Sequence, residues 1–274
     1  MKIFISADIE GVAGITDWQE ANPENTVHYR QFQERMTAEV NAACLGALAA
    51  GATEIWVRDA HWYARNLLHD RLPRQVRLIR GWSRHPYMMV QEIDSSFDAV
   101  AFIGYHSKGG AGTNPLAHTL TNSVFQSVRI NGEPVAEFHL YAGAAALEGV
   151  PAVFVSGDEF LCHDVRAFDA RIETVATSYG HGASTVSIHP ELSCERIQEG
   201  MARACARGKS ELRSLLHPPH GPFSVEVTYN RAVDAFKNSF YPGATLKSDQ
   251  VVSFATPSFL EILRLLVFVS SAAT

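Results

Sequence analysis

Short apolar runs recur between segments with helical spacing, and this alternation restricts the chain to a small set of architectures. Residues 2–7, 54–58, 76–79, 98–103, 152–156 and 172–178 read as buried strands. Between the first two, Phe32, Met36, Val40, Cys44, Leu45 and Leu48 mark the apolar side of a helix predicted over 28–50, with Gly51 as its C-cap. Further helices are predicted over about 86–92, 137–147, 159–168 and 191–207. Short buried strands alternating with helices make a parallel sheet, so the expected class is α/β, with a mostly parallel central sheet flanked by helices. Asn131-Gly132, between 125–130 and 134–135, marks one antiparallel excursion, because a tight type I′ turn needs two residues with positive φ.

The run His217-Pro218-Pro219-His220-Gly221-Pro222 interrupts all periodicity and reads as a linker. Residues 1–220 are therefore expected to form an α/β domain. Residues 221–274 would form a smaller α+β region, with strands at 223–229 and 251–254 and a helix over 257–269.

With 274 residues, 46% of them hydrophobic, the chain can bury a core without help from disulfides or metals. Its 23 Lys+Arg against 29 Asp+Glu give a net charge of −6 without any basic block, which argues against nucleic acid as a partner. The longest apolar stretches, Pro151 to Ser156 and Leu265 to Val269, fall well short of the ~20 residues of a membrane span. Asp8 and Glu10 interrupt the start of the chain before a signal-peptide core can form, so it reads as a strand. Cys44, Cys162, Cys194 and Cys205 include no Cys-x-x-Cys pair and read as reduced core thiols, which makes a cytoplasmic location the expectation.

Ligands of open parallel sheets bind beyond the carboxyl ends of the strands, so the residues there carry the functional signal. The first strand ends in Asp8-Ile9-Glu10, the second in Asp59-Ala60-His61, and the strand at 98–103 in Gly104-Tyr105-His106. Metal-ligand side chains are thus delivered to one rim, and in an extended segment Asp8 and Glu10 point the same way. Two carboxylates that close are unfavourable unless a cation or proton lies between them. Each element also has a plainer reading: Asp-x-Glu as a cap or solvated pair, Asp59 as a turn cap, and His61 or His106 as a histidine bonded to backbone. Cys162-His163 invites a thiol-nucleophile reading, set against a buried thiol beside a surface histidine. His181, His217 and His220 read as solvated loop residues. Gly11-Val12-Ala13-Gly14 lacks the full phosphate-binding pattern, and the acids beside it would repel phosphate, so no nucleotide cofactor is expected.

Ser6-Ala7-Asp8-Ile9-Glu10-Gly11 resembles the amino-terminal signature of the zinc-dependent D-aminopeptidase family. Matching motifs follow in order: Asp59-Ala60-His61 with Asn66-Leu67, Gly104-Tyr105-His106, Ala117-His118-Thr119, Asn131-Gly132 to Glu137, Val155-Ser156-Gly157-Asp158 and Tyr241-Pro242-Gly243. The resemblance covers nearly the whole chain. It implies two Zn2+ per chain held by Asp8, Glu10, His61, His106 and Glu137, with His118 at the family's catalytic histidine. Without it, Glu137 would read as a charge complementing a helix N-terminus. Mixed nitrogen and oxygen ligands suit zinc, manganese or iron; the resemblance puts zinc first.

The implied reaction is removal of the N-terminal residue, a D-amino acid such as D-Ala, from short peptide substrates by a metal-activated water. The resemblance also implies a homo-oligomer, a homodecameric ring. Residues 107–115, Gly-rich between the two histidines, depart from the family pattern and bear on substrate choice. Two alternatives are a dinuclear metal amidase or peptidase acting on L- or other amide substrates, and a non-catalytic α/β binding protein that keeps the scaffold.

Overall fold

The alternation read from the sequence is realised from the second residue onward. In the computed structural model, which describes Met1–Ser270, β1 (Lys2–Ala7), β2 (Glu54–Asp59), β3 (Val76–Ile79) and β4 (Ala99–Tyr105) lie parallel in one sheet. β5 (Phe125–Ile130) and β6 (Glu133–Pro134) form the expected hairpin, with φ of 53° at Asn131 and 86° at Gly132. β7 (Ala152–Asp158), β8 (Glu173–His181) and β9 (Ser184–Ser187) return to the first sheet. β10 (Phe223–Tyr229), β11 (Ala244–Ser248) and β12 (Val251–Thr256) join the hairpin in a second, antiparallel sheet. The first sheet has the order β3-β2-β1-β4-β7-β8-β9, in which β9 alone runs antiparallel to its neighbour, and the second has the order β11-β12-β10-β5-β6. This second sheet draws strands from both sides of residue 220.

The helices in chain order are α1 (Trp18–Ala21), α2 (Thr26–Ala49), α3 (Glu137–Leu147), α4 (Glu159–Phe168), α5 (Pro190–Cys205), α6 (Lys209–Ser214), α7 (Ala232–Asn238) and α8 (Phe259–Val269). Side chains alternate across the central strands, so Ile3 and Ile5 enter one core and Phe4 the other. On the first face Phe32, Met36 and Val40 of α2 pack with Ile197 and Met201 of α5. On the second, Phe102 of β4 meets Phe138 of α3, and Ile262 and Leu266 of α8 belong to the same core. Each fully buried side chain of this size contributes roughly 1.5–3 kcal/mol, so the sheet is held from both faces.

The helix predicted over 86–92 is instead one 3₁₀ turn, Met88–Val90. Its flanks are tied to a loop: the Gln91 side chain accepts from the Ser83 N–H at 3.0 Å and donates to the Gly81 carbonyl at 3.3 Å. After β1 the chain builds β2 and β3 on one side and then crosses to β4 on the other. The space between β1 and β4 is therefore the topological switch point, where a crevice opens beyond the strand ends.

Candidate metal centre

Asp8 and Glu10 follow β1, His61 follows β2 and His106 follows β4, so the switch point receives two carboxylates and two imidazoles. Glu137 arrives from the other sheet, as the first residue of α3 after the β5–β6 hairpin. All five are at most 4% exposed. His61 Nδ1 lies 3.2 Å from Asp8 Oδ1 and 3.1 Å from Glu10 Oε2. His106 Nε2 lies 3.5 Å from Asp8 Oδ2 and 3.6 Å from Glu137 Oε2. Asp8 thus offers one oxygen to each imidazole. His118, in the irregular segment between β4 and β5, stacks on His106 with ring centroids 4.2 Å apart and brings Nε2 to 3.7 Å from Glu137 Oε1.

The backbone sets which nitrogen each ring presents. His61 Nε2 lies 2.7 Å from the Ala21 carbonyl, His106 Nδ1 2.9 Å from the Ser107 carbonyl, and His118 Nδ1 3.0 Å from the Leu116 carbonyl. A carbonyl only accepts, so each of these nitrogens carries the proton. With no cation or second proton on it, the other nitrogen of His61 or His106 would turn a lone pair toward carboxylate oxygens, which are acceptors too. Glu10 Oε2 and His106 Nε2 are buried without a hydrogen-bond partner. Such an arrangement calls for positive charge between the groups.

The titration tendencies agree. Burial, the largest influence on His61, disfavours the imidazolium, yet Glu10 and Asp8 outweigh it and raise the ring well above its ordinary value. Glu137 and Asp8 do the same for His106. Burial alone would raise Asp8, but hydrogen bonding to His106 and His61 holds it well below the usual carboxylate range. The donor spacing also fits a small cation. Ligand atoms about 2.0–2.1 Å from a tetrahedral ion lie roughly 3.3–3.4 Å from each other, and the four contacts span 3.1 to 3.6 Å.

Close backbone packing makes this convergence possible. Gly104 has a φ of 70°, and a Cβ there would lie 2.3 Å from the Asp8 carbonyl oxygen. A Cβ on Gly11 would lie 1.8 Å from the carbonyl oxygen of Tyr105. Asp59 proves to be the turn cap: it accepts from the backbone N–H of Asn66 and Leu67 at 2.5 and 2.8 Å and from Asn66 Nδ2 at 2.7 Å. Asn66 Nδ2 also donates to the His61 carbonyl at 2.7 Å, so the cap shapes the loop that presents His61. Asp158 has the matching task beside His106, accepting from the Ser107 N–H at 2.6 Å and the Ser107 hydroxyl at 2.5 Å while capping α4.

The centre forms the floor of a cavity of about 490 Å³. Its walls include Trp18, Trp62, Tyr63 and Trp82, none of which the sequence singled out. Trp82 Nε1 donates to the Trp62 carbonyl at 2.7 Å, and Trp18 meets the edge of His118. The other sequence candidates lie elsewhere. Cys162 is buried, its thiol pushed up to about 12 by burial, with His163 exposed beside it. His181 and His220 are exposed, and His217 pairs with Asp169 at 2.7 Å.

Comparison with known proteins gives a consistent picture. A family model described as D-aminopeptidase matches residues 1–268. The chain is 26% identical over 277 residues to the D-aminopeptidase of Bacillus subtilis, covering 100% of this chain and 98% of that protein. A solved structure of a zinc-dependent D-aminopeptidase from Bacillus subtilis, described as a self-compartmentalizing protease, superposes with a TM-score of 0.88. That match, at 24% identity, covers 98% of this chain and 97% of the other, and establishes a shared α/β fold. Among the described residues no helix is long and apolar enough to cross a membrane.

Proposed function

The chain belongs to the D-aminopeptidase family, and on that premise we propose that it is a dinuclear zinc aminopeptidase removing an N-terminal D-residue, such as D-Ala, from short peptides. The observation that carries this reading is the convergence of imidazole lone pairs and buried carboxylates on one point, with His106 Nε2 and Glu10 Oε2 left without partners. Asp8, Glu10, His61, His106 and Glu137 would hold the metal. Zinc held there would supply Lewis acidity toward water and a peptide carbonyl.

The chain's own groups do the rest. His118 Nδ1 is committed to the Leu116 carbonyl, so Nε2 is the atom that exchanges a proton with substrate. Stacking on His106 and edge contact with Trp18 fix the plane of the ring, and its side chain is 11% exposed, enough to meet a substrate. Glu137 Oε1 accepts from the Leu120 N–H at 2.6 Å, which orients the carboxylate between His106 and His118. The aromatic walls exclude water and admit a short peptide but no folded chain, in keeping with the cavity volume. By analogy with the self-compartmentalizing relative, we extend the proposal to a homo-oligomer, with residues 221–274 serving substrate access or assembly.

Metal content by elemental analysis, on protein purified without chelator, tests the centre. Two zinc ions per chain are expected in the wild type, with a large loss in Asp8→Ala. His118→Gln should keep its metal and lose turnover. A panel of D- and L-aminoacyl dipeptides tests specificity, and turnover of L-substrates alone would overturn the D-preference. Little metal in the wild type, even after soaking in zinc, would remove the basis for the hydrolytic reading.

A further inference from the structure

The cavity above the metal centre is lined by Asp8, Glu10 and Glu137, yet a single lysine or arginine, Arg84, contributes to its lining. Arg84 is exposed at the rim and, among the described residues, has no ion-pair or hydrogen-bond partner. The acids nearest in the adjoining surface hollow do not neutralise it. Glu148 accepts the Tyr87 hydroxyl at 2.6 Å, Asp94 is bonded to Ser96, and Glu92 makes no ion pair.

The base of this residue is unusually well fixed. Its backbone is in the left-handed region, with a φ of 68°. Just before it, Arg58, fully buried, donates to the Gly81 carbonyl at 2.6 Å and lies over the Trp82 ring at 4.3 Å. Trp82 is held to Trp62, and the Ser83 N–H is held by buried Gln91. A long cationic side chain therefore stands on a rigid wall, opposite a strongly acidic floor and without a partner of its own.

A short peptide is a zwitterion whose ammonium and carboxylate ends are separated by the length of the molecule. Carboxylates on the floor favour the ammonium end, and a free guanidinium at the rim offers a planar pair of donors that matches a carboxylate. We propose that Arg84 is a specificity-determining residue that binds the C-terminal carboxylate of the substrate, so that the enzyme selects short peptides with a free acid terminus. This inference rests on the aminopeptidase reading above.

The test compares hydrolysis of D-alanyl-D-alanine and L-alanyl-L-alanine with their C-terminal amides, following release of the first alanine by chromatography, for wild type, Arg84→Ala and Arg84→Lys. In the wild type the free acid should be preferred, and the preference should weaken with added salt. Arg84→Ala should lower kcat/KM for the free acid by about 10- to 100-fold, mainly through KM, while changing the amide by less than about threefold. Arg84→Lys, which keeps charge but not the fork, should recover part of the loss. The proposal is overturned if Arg84→Ala affects acid and amide alike, or neither. If the wild type hydrolyses none of the four, the aminopeptidase reading itself fails and this inference falls with it.

Discussion

Glu39 offers a stability test whose size follows from its surroundings. The side chain projects from α2 and is 1% exposed. Its Oε1 accepts from the Ala13 N–H at 2.9 Å and the Ser193 hydroxyl at 2.8 Å, tying the turn after Glu10 to α5, while Oε2 is buried without a partner. Burial dominates the two hydrogen bonds and the attraction of Arg35, pushing the carboxyl from 4.5 to about 7. A folded-state value raised above the unfolded one means that the native protein binds the proton more tightly. The contribution to stability is complete below 4.5 and is lost as pH rises through 7. Between pH 5 and pH 8.5 the loss is about 2.5 kcal/mol. Glu39→Gln removes the titration while keeping an oxygen for Ala13 and Ser193, at a pH-independent cost of about 1–3 kcal/mol for burying an amide donor. Denaturant unfolding of both proteins at the two pH values gives a double difference in which other titrating groups cancel. The variant should gain about 2.5 kcal/mol on the wild type as pH rises. A gap that stays constant within about 0.5 kcal/mol would refute the argument that burial controls this carboxyl.

Three further outcomes follow from the same geometry. Gly104→Ala places a Cβ against the Asp8 carbonyl at a positive φ, and should lower unfolding free energy by more than about 2 kcal/mol and weaken metal retention, measured by denaturation and elemental analysis. Asp158→Ala strands the donors of Ser107, Phe160 and Leu161, so it should cost about 3 kcal/mol or more and reduce kcat by loosening His106. Cys44, Cys162 and Cys205 are buried with thiols pushed up to about 12. A thiol reagent should therefore modify at most Cys194 promptly in the native protein, and all four cysteines after denaturation.

The middle of the central sheet was legible because burial on both faces writes continuous apolar runs into β1, β4 and β7. The half-exposed edge strand β9 carries no such run and is absent from the predicted strands, whereas α3 and α4 match their predicted bounds of 137–147 and 159–168. Shorter pieces left no such mark. β11 is almost wholly exposed, so it has no alternation to read, and α6 and α7 are too short for a helical period to emerge. At 86–92, the apolar run Met88-Met89-Val90 is too short to tell a helix from a turn, and the bonds from Gln91 to Gly81 and Ser83 hold the segment as a loop with a single tight turn.

The centre divides in the same way. Asp8, Glu10, His61 and His106 stand directly beyond parallel strands, so strand order alone sends them to one rim. Glu137 and His118 reach it by routes without a local signal, one through a hairpin in a different sheet and the other from an irregular segment. For both, only the family resemblance pointed to the site. Least visible of all is the choice of nitrogen. Sequence names the imidazoles, but the carbonyls of Ala21, Ser107 and Leu116 decide which lone pair turns inward. Those carbonyls depend on side chains that never touch the centre, as Ser107 does on Asp158. Losing such an anchor would leave every donor atom in place and still misdirect one of them, so activity should be more sensitive to these supports than metal stoichiometry is.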